Sequence, residues 1–284
     1  MTFETMGGTI PGVFNTILKQ NHVMIAGETG SGKSVLLNGL IYNLLRSYKA
    51  DLVLCDPKKV ELSVYKDMPQ VLGYTDTLES IKASLDAVHK YMMERYDEMQ
   101  KNQERLYSGD DLYVIIDEIA DLILYDKKGE IQNVLQSILQ LGRAAKIHCI
   151  LATQCPSRKV LNAKLMANIT CKVALHCSSA IESRQIIGEA GAEDLPIGKC
   201  YIKAPCAFYE DPIPMYTDEE IKEVLDYYNA QFPGGIQKYR KNTKNYASSG
   251  DDISMFDKIV CVGFMIISAP IVISFVAAFF ECLF

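Results

Sequence analysis

The run Met24–Ile41, MIAGETGSGKSVLLNGLI, decides the fold. A short apolar stretch leads into Gly27-Glu28-Thr29-Gly30-Ser31-Gly32-Lys33-Ser34, a complete G-x-x-x-x-G-K-S, and a helical pattern comes directly after it. In that strand–loop–helix setting the glycines let the backbone wrap closely around phosphates, with several N–H groups aimed inward at the head of a helix. Lys33 is placed to neutralise β- and γ-phosphates, and the Ser34 hydroxyl to ligate Mg²⁺. The loop, with Val35 just inside the helix, is the expected nucleoside triphosphate site. Glu28 and Thr29 occupy positions where such a loop tolerates most residues, and carry no assignment of their own.

Outward from this loop, short β-rich runs alternate with helical patterns, which predicts an α/β fold with a mostly parallel central sheet flanked by helices. The expected strands are 22–26, 51–56, 112–118, 148–153 and 172–176, with 199–203 added at an edge. The longest helical pattern runs from about Thr77 to Tyr107, with Ile81, Leu85, Val88, Met92, Tyr96 and Met99 on one face. Thr217 and Glu220 form a capping box for a late helix, which Phe232-Pro233-Gly234-Gly235 should stop.

The second half of the chemistry lies in YVIIDE. Four apolar residues carry a buried strand whose carboxyl end presents Asp117 and Glu118. Ligands of such sheets bind beyond the carboxyl ends of the strands. Asp117 is therefore expected to hold Mg²⁺, directly or through water, and Glu118 to polarise the attacking water. Thr153-Gln154 ends a neighbouring strand, where the Gln154 amide is placed to report on the γ-phosphate and to move the segment beyond it.

Composition narrows the partners. A net charge of −6 over 284 residues excludes a global nucleic-acid footprint, so any polyanion must meet a local basic surface. The nine cysteines lack CxxC spacing, which argues against a zinc site or a disulfide framework and for a reducing compartment.

Several blocks together resemble the motor domain of the FtsK/SpoIIIE family of DNA translocases. They are DPKKVELSVYKDMP (56–69), YMMERYDEM (91–99), VIIDEIADL (114–122), GRAAKIHCILATQCPS (142–157) and VALHCSSAIESRQIIGEAGAEDL (173–195), in the family's order. The resemblance implies a RecA-like P-loop ATPase that assembles as a homo-hexameric ring and pumps double-stranded DNA through its pore. It further implies ATP sites between subunits, each completed by a neighbour's arginine, for which Arg143 and Arg184 both match family positions and Arg143 is slightly favoured. Arg158, Lys159 and Lys164, after the sensor strand, are the expected grip on DNA phosphates. Cys155 stands where the family usually has arginine. Neither a winged-helix domain nor an N-terminal multi-span anchor is evident, which suggests a compact relative. Related ATPases also power protein secretion and conjugative transfer, and a membrane-tethered nucleotide switch is a third reading.

The expected domains are an ATPase unit over residues 1–235, a basic and polar linker over 236–258 and a membrane span over 259–280. The last run has no charged residue and meets the roughly 20 residues a spanning helix needs. Lys238, Arg240, Lys241 and Lys244 precede it, which places the main domain in the cytoplasm, anchored to the cell membrane. A buried C-terminal helix would read similarly.

Overall fold

The computed structural model describes residues 10–47, 50–154 and 161–231. Its centre is an eight-stranded sheet in the order β3-β2-β4-β5-β1-β6-β7-β8. The strands are β1 (His22–Ala26), β2 (Ala50–Cys55), β3 (Val71–Thr75), β4 (Asp111–Ile116), β5 (Ile147–Thr153), β6 (Cys171–Ala174), β7 (Lys199–Ala204) and β8 (Ala207–Pro212). From β3 to β6 every pairing is parallel, and β7 and β8 add an antiparallel hairpin.

The helices are α1 (Gly12–Leu18), α2 (Lys33–Ser47), α3 (Leu78–Asn102), α4 (Ile119–Tyr125), α5 (Glu130–Leu141), α6 (Ala163–Asn168), α7 (Ala180–Ile187) and α8 (Asp218–Gln231). Side chains alternate across a strand, so the central strands feed two cores. Met24, Val114, Ile116 and Leu151 face one core with Ile81, Leu85, Val88 and Met92 of α3 and Leu135 and Ile138 of α5. Val23, Ile25, Ile115 and Ile150 face the other, with Phe14, Leu36, Leu37, Leu40 and Ile41. Both faces are covered, which is why these strands read as unbroken apolar runs. Each fully buried aliphatic side chain contributes roughly 1.5–3 kcal/mol.

The expected strands are all present, within a residue or two at their ends. Two differences concern the sheet's edges. The 199–203 run is not an edge strand, because β8 pairs along its outer side. β3 forms the other edge beside β2, although Gly73 interrupts its apolar character. The long helix also ends earlier than the apolar periodicity suggests. Gln103 adopts a left-handed conformation (φ 57°) that terminates α3, so Leu106 and Tyr107 fall in the loop beyond.

The late helix is capped as expected: Glu220 N–H donates to Thr217 Oγ1 at 3.2 Å, and Thr217 N–H to Glu220 Oε2 at 2.8 Å. Its stop at 232–235, the 236–258 linker and the 259–280 run lie outside the described residues, as do Cys155, Arg158 and Lys159. Among the described residues no helix is long and apolar enough to cross a membrane. Five of the six described cysteines are buried and all six are free; burial pushes the Cys171 thiol up to about 12.

Candidate active site

β1, β4 and β5 run side by side in parallel, so their carboxyl ends bring Gly27, Asp117 and Gln154 to one rim of the sheet. The loop 27–34 leaves β1 and turns directly into α2. A side chain at Gly27 would meet Leu175 Cβ at 2.6 Å and Ser31 Oγ at 2.8 Å, so the close approach to β6 requires glycine. Gly32 has φ 98°, a conformation that β-carbon-bearing residues rarely adopt. Lys33, Ser34 and Val35 form the first turn of α2, where backbone N–H groups have no acceptor within the helix. Those donors, at the positive end of the helix dipole, suit an anion.

Two buried charges meet beneath the loop: the Lys33 ammonium forms an ion pair with Asp117 Oδ1. Burial lifts the Asp117 carboxyl above its ordinary range, with Lys33 acting against that shift. An ammonium has three donors, so this pairing uses one and leaves two for phosphate oxygens.

Glu118 is 3% exposed and sits in a left-handed backbone conformation (φ 62°, ψ 62°) between β4 and α4. Its carboxylate is held by the adjoining strand. Thr153 Oγ1 donates to Oε1 at 2.8 Å, and the Gln154 N–H donates to both oxygens at 3.1 and 3.2 Å. The Gln154 side chain faces the loop, where its Oε1 accepts from Thr29 Oγ1 at 2.9 Å. The proposed water-activating acid and the proposed sensor are thus joined in one hydrogen-bonded unit.

A segment whose chemistry the sequence reading left unassigned completes the rim. After β2 the chain passes through Asp56, Lys58, Glu61 and Leu62 of the D-P-K-x-x-E-L block. Asp56 is fully buried, and its Oδ2 accepts the Leu62 N–H at 3.0 Å, which folds the segment into a strap. From that strap Lys58 Nζ reaches Glu118 Oε2 at 3.1 Å, and Glu61 Oε1 accepts from Ser34 Oγ at 2.6 Å. Partial burial works against the Lys58 ammonium, but the hydrogen bond to Glu118 and the nearby acids outweigh it and raise its pKa. A signal was available: charged residues at fixed spacing directly after a strand's carboxyl end lie where ligands bind. Glu28 also has a specific partner, His176 Nε2 at 3.2 Å, on the loop after β6.

The arginines stand apart. Arg143 is exposed in the turn that precedes β5, at the amino end of the sheet. The seven residues of β5 separate it from the rim by roughly 20 Å, so it does not reach the site of its own chain. Arg184 is exposed in the last turn of α7, and Lys164 is exposed on α6. Among the described residues neither arginine is paired with a carboxylate.

The FtsK/SpoIIIE family model matches residues 2–111. The chain is 38% identical over 233 residues to the DNA translocase FtsK of Staphylococcus epidermidis, covering 72% of this chain and 29% of that protein. It is 32% identical over 286 residues to DNA translocase FtsK of Rhizobium meliloti, covering 82% of this chain and 32% of that protein. The chain therefore spans about three-tenths of the length of these relatives. Among solved structures, the pCW3 conjugation coupling protein TcpA, in a monomer form with ATPγS, superposes with a TM-score of 0.65 at 21% identity, over 74% of this chain and 65% of that one. The cytoplasmic domain of the type VII secretion ATPase EccC of Thermomonospora curvata gives 0.62 at 23% identity, over 72% of this chain and 28% of that one. These two likenesses concern the fold. The sequence matches carry the family: the chain belongs to the FtsK/SpoIIIE family.

Proposed function

We propose that this chain is an ATP-dependent double-stranded DNA translocase motor with a RecA-like core, working as a homo-hexameric ring. One observation carries the reading: Glu118 is bonded to the strand end Thr153-Gln154, from which the chain runs on to Lys164. A carboxylate placed for hydrolysis is thereby tied mechanically to a segment suited to gripping phosphates. The relatives' description as DNA translocases supports duplex DNA as the cargo.

In this reading the loop N–H groups and Lys33 hold the triphosphate. Glu118 orients the attacking water and accepts its proton, while Gln154 registers the γ-phosphate. Ser34 and Asp117 offer the hard oxygen donors that Mg²⁺ prefers, and the ion would offset charge on the β- and γ-oxygens. Arg143 acts on the neighbouring subunit's site, which accords with its distance from its own. Lys164, with Arg158 and Lys159, gives salt-dependent contacts with no base preference. The 259–280 run anchors the cytoplasmic motor to the cell membrane.

The test is ATP hydrolysis by the protein with and without duplex DNA, with oligomeric state followed by light scattering. Stimulation by DNA together with a ring-sized assembly is expected. A strictly monomeric protein whose turnover ignores DNA would refute the motor.

A further inference from the structure

Ser34 donates to Glu61 through a short contact, 2.6 Å, within the range of a charge-assisted O–H···O⁻ bond. A serine hydroxyl has one hydrogen and two lone pairs. Directing the hydrogen to Glu61 leaves both lone pairs to serve as metal ligands. Without such an acceptor the hydroxyl rotates freely, and a ligating lone pair must be oriented at the moment of binding.

Glu61 is also held in place by the residues that follow it. Leu62, the next residue, is fully buried and is tied through its N–H to Asp56. Tyr65, also fully buried, donates its hydroxyl to Asn38 Oδ1 at 3.0 Å, on the same helix that begins at Lys33 and carries Ser34. Among the described residues no group of three or more His, Cys, Asp or Glu forms a metal site unaided. A magnesium ion here would rely on nucleotide phosphates, water and few protein oxygens, so the orientation of each one matters.

We propose that Glu61 is a positioning residue for the magnesium ion that accompanies the nucleotide: it takes the Ser34 hydrogen and so turns the Ser34 lone pairs toward the metal. The proposal rests on the ATPase reading above. It gives the glutamate of the D-P-K-x-x-E-L block a chemical task, and it makes the strap after β2 part of the site.

The experiment is a titration of the full chain with a fluorescent ATP analogue, in EDTA and at stepped Mg²⁺ concentrations. Glu61→Ala should raise the Mg²⁺ concentration needed for half-maximal binding roughly tenfold, with affinity in EDTA unchanged. Glu61→Gln, which keeps an oxygen acceptor of the same reach, should recover most of that loss. On a Ser34→Ala background, Glu61→Ala should add nothing. The proposal is overturned by an unchanged Mg²⁺ requirement, by an equal loss of affinity in EDTA, or by a further loss on the Ser34→Ala background. Failure of the unmodified protein to bind the analogue would remove the ATPase reading and this proposal with it. Normal binding with an indifferent Glu61→Ala variant would remove this proposal alone.

Discussion

At the carboxyl ends of the strands, polar groups are paired side chain to side chain: Lys33 with Asp117, Ser34 with Glu61, Lys58 with Glu118, Thr29 with Gln154. At the amino ends of the same strands, polar side chains bond mainly to the backbone. Arg95, 2% exposed, donates to the carbonyls of Ala145 and Lys146 at 2.6 and 3.2 Å, with its guanidinium over the rings of Tyr91 and Tyr107. Tyr96 donates to Leu141 O, Tyr113 to Leu18 O and Lys146 to Gly109 O. His22 accepts the Cys149 N–H. At the carboxyl end, backbone bonds from the Gln154 N–H to Glu118 and from the Leu62 N–H to Asp56 hold the acids in place, while the side-chain pairs around them can be exchanged for a ligand. Apart from the His148–Asp111 pair, the amino end anchors its side chains mainly on the backbone.

The largest expected effect tests the first half of that contrast. Glu118→Gln should lower steady-state phosphate release by about 10²–10⁴-fold while ATP is still bound, because an amide cannot accept the proton of the attacking water. Undiminished release would place the reacting centre elsewhere. Arg95→Met addresses the other half. It leaves the Ala145 carbonyl without its Arg95 donor, whereas Lys146 O keeps the Leu112 N–H at 2.9 Å, and it removes a ring-stacked guanidinium, which should cost about 1–3 kcal/mol in denaturant unfolding. Turnover per folded molecule should be maintained. A loss of turnover with stability intact would mean that the amino end takes part in the chemistry.

His22 sharpens the comparison through pH. Burial, aided by His148, holds its pKa at about 4, below the ordinary 6.5. Between those values the unfolded chain takes up a proton that the folded chain refuses. Its contribution is therefore fully present above pH 6.5 and is lost as pH falls toward 4, with a slope of at most about 1.4 kcal/mol per pH unit. Unfolding midpoints at a series of pH values should show this decline in the parent protein and a flatter one in His22→Gln. The smallest effect is expected from Lys58→Met. Lys58 is 37% exposed, so its pair with Glu118 is worth under about 1 kcal/mol, and hydrolysis should fall only a few-fold with nucleotide affinity unchanged.

The contrast also explains how far the sequence could be read. The parallel strands were legible because burial on both faces forces continuous apolar runs. β3 and β8 were not: β3 carries Gly73, and most of β8 is exposed, so neither has the composition of a central strand. Lys33, Ser34, Asp117, Glu118 and Gln154 were legible because each sits at a fixed offset from a strand end. Lys58 and Glu61 carried no assigned chemistry, since their partners lie 60 and 27 residues away in sequence and meet them only through the strap. Glu28 and Thr29 occupy loop positions that tolerate most residues, yet each has a partner, His176 on the loop after β6 and Gln154 just past β5.

The left-handed backbone at Glu118 sets two demands against each other at one position. The turn into α4 suits glycine, and a residue with a β-carbon costs roughly 1–2 kcal/mol there, while the proposed hydrolysis needs a carboxylate. Substitution to glycine would relieve the backbone but strand the Thr153 hydroxyl and the Gln154 N–H without their acceptor, at about 1–3 kcal/mol for each buried donor. The bonds that hold the carboxylate therefore also hold the turn, and selection for thermal tolerance gains nothing by giving up the acid.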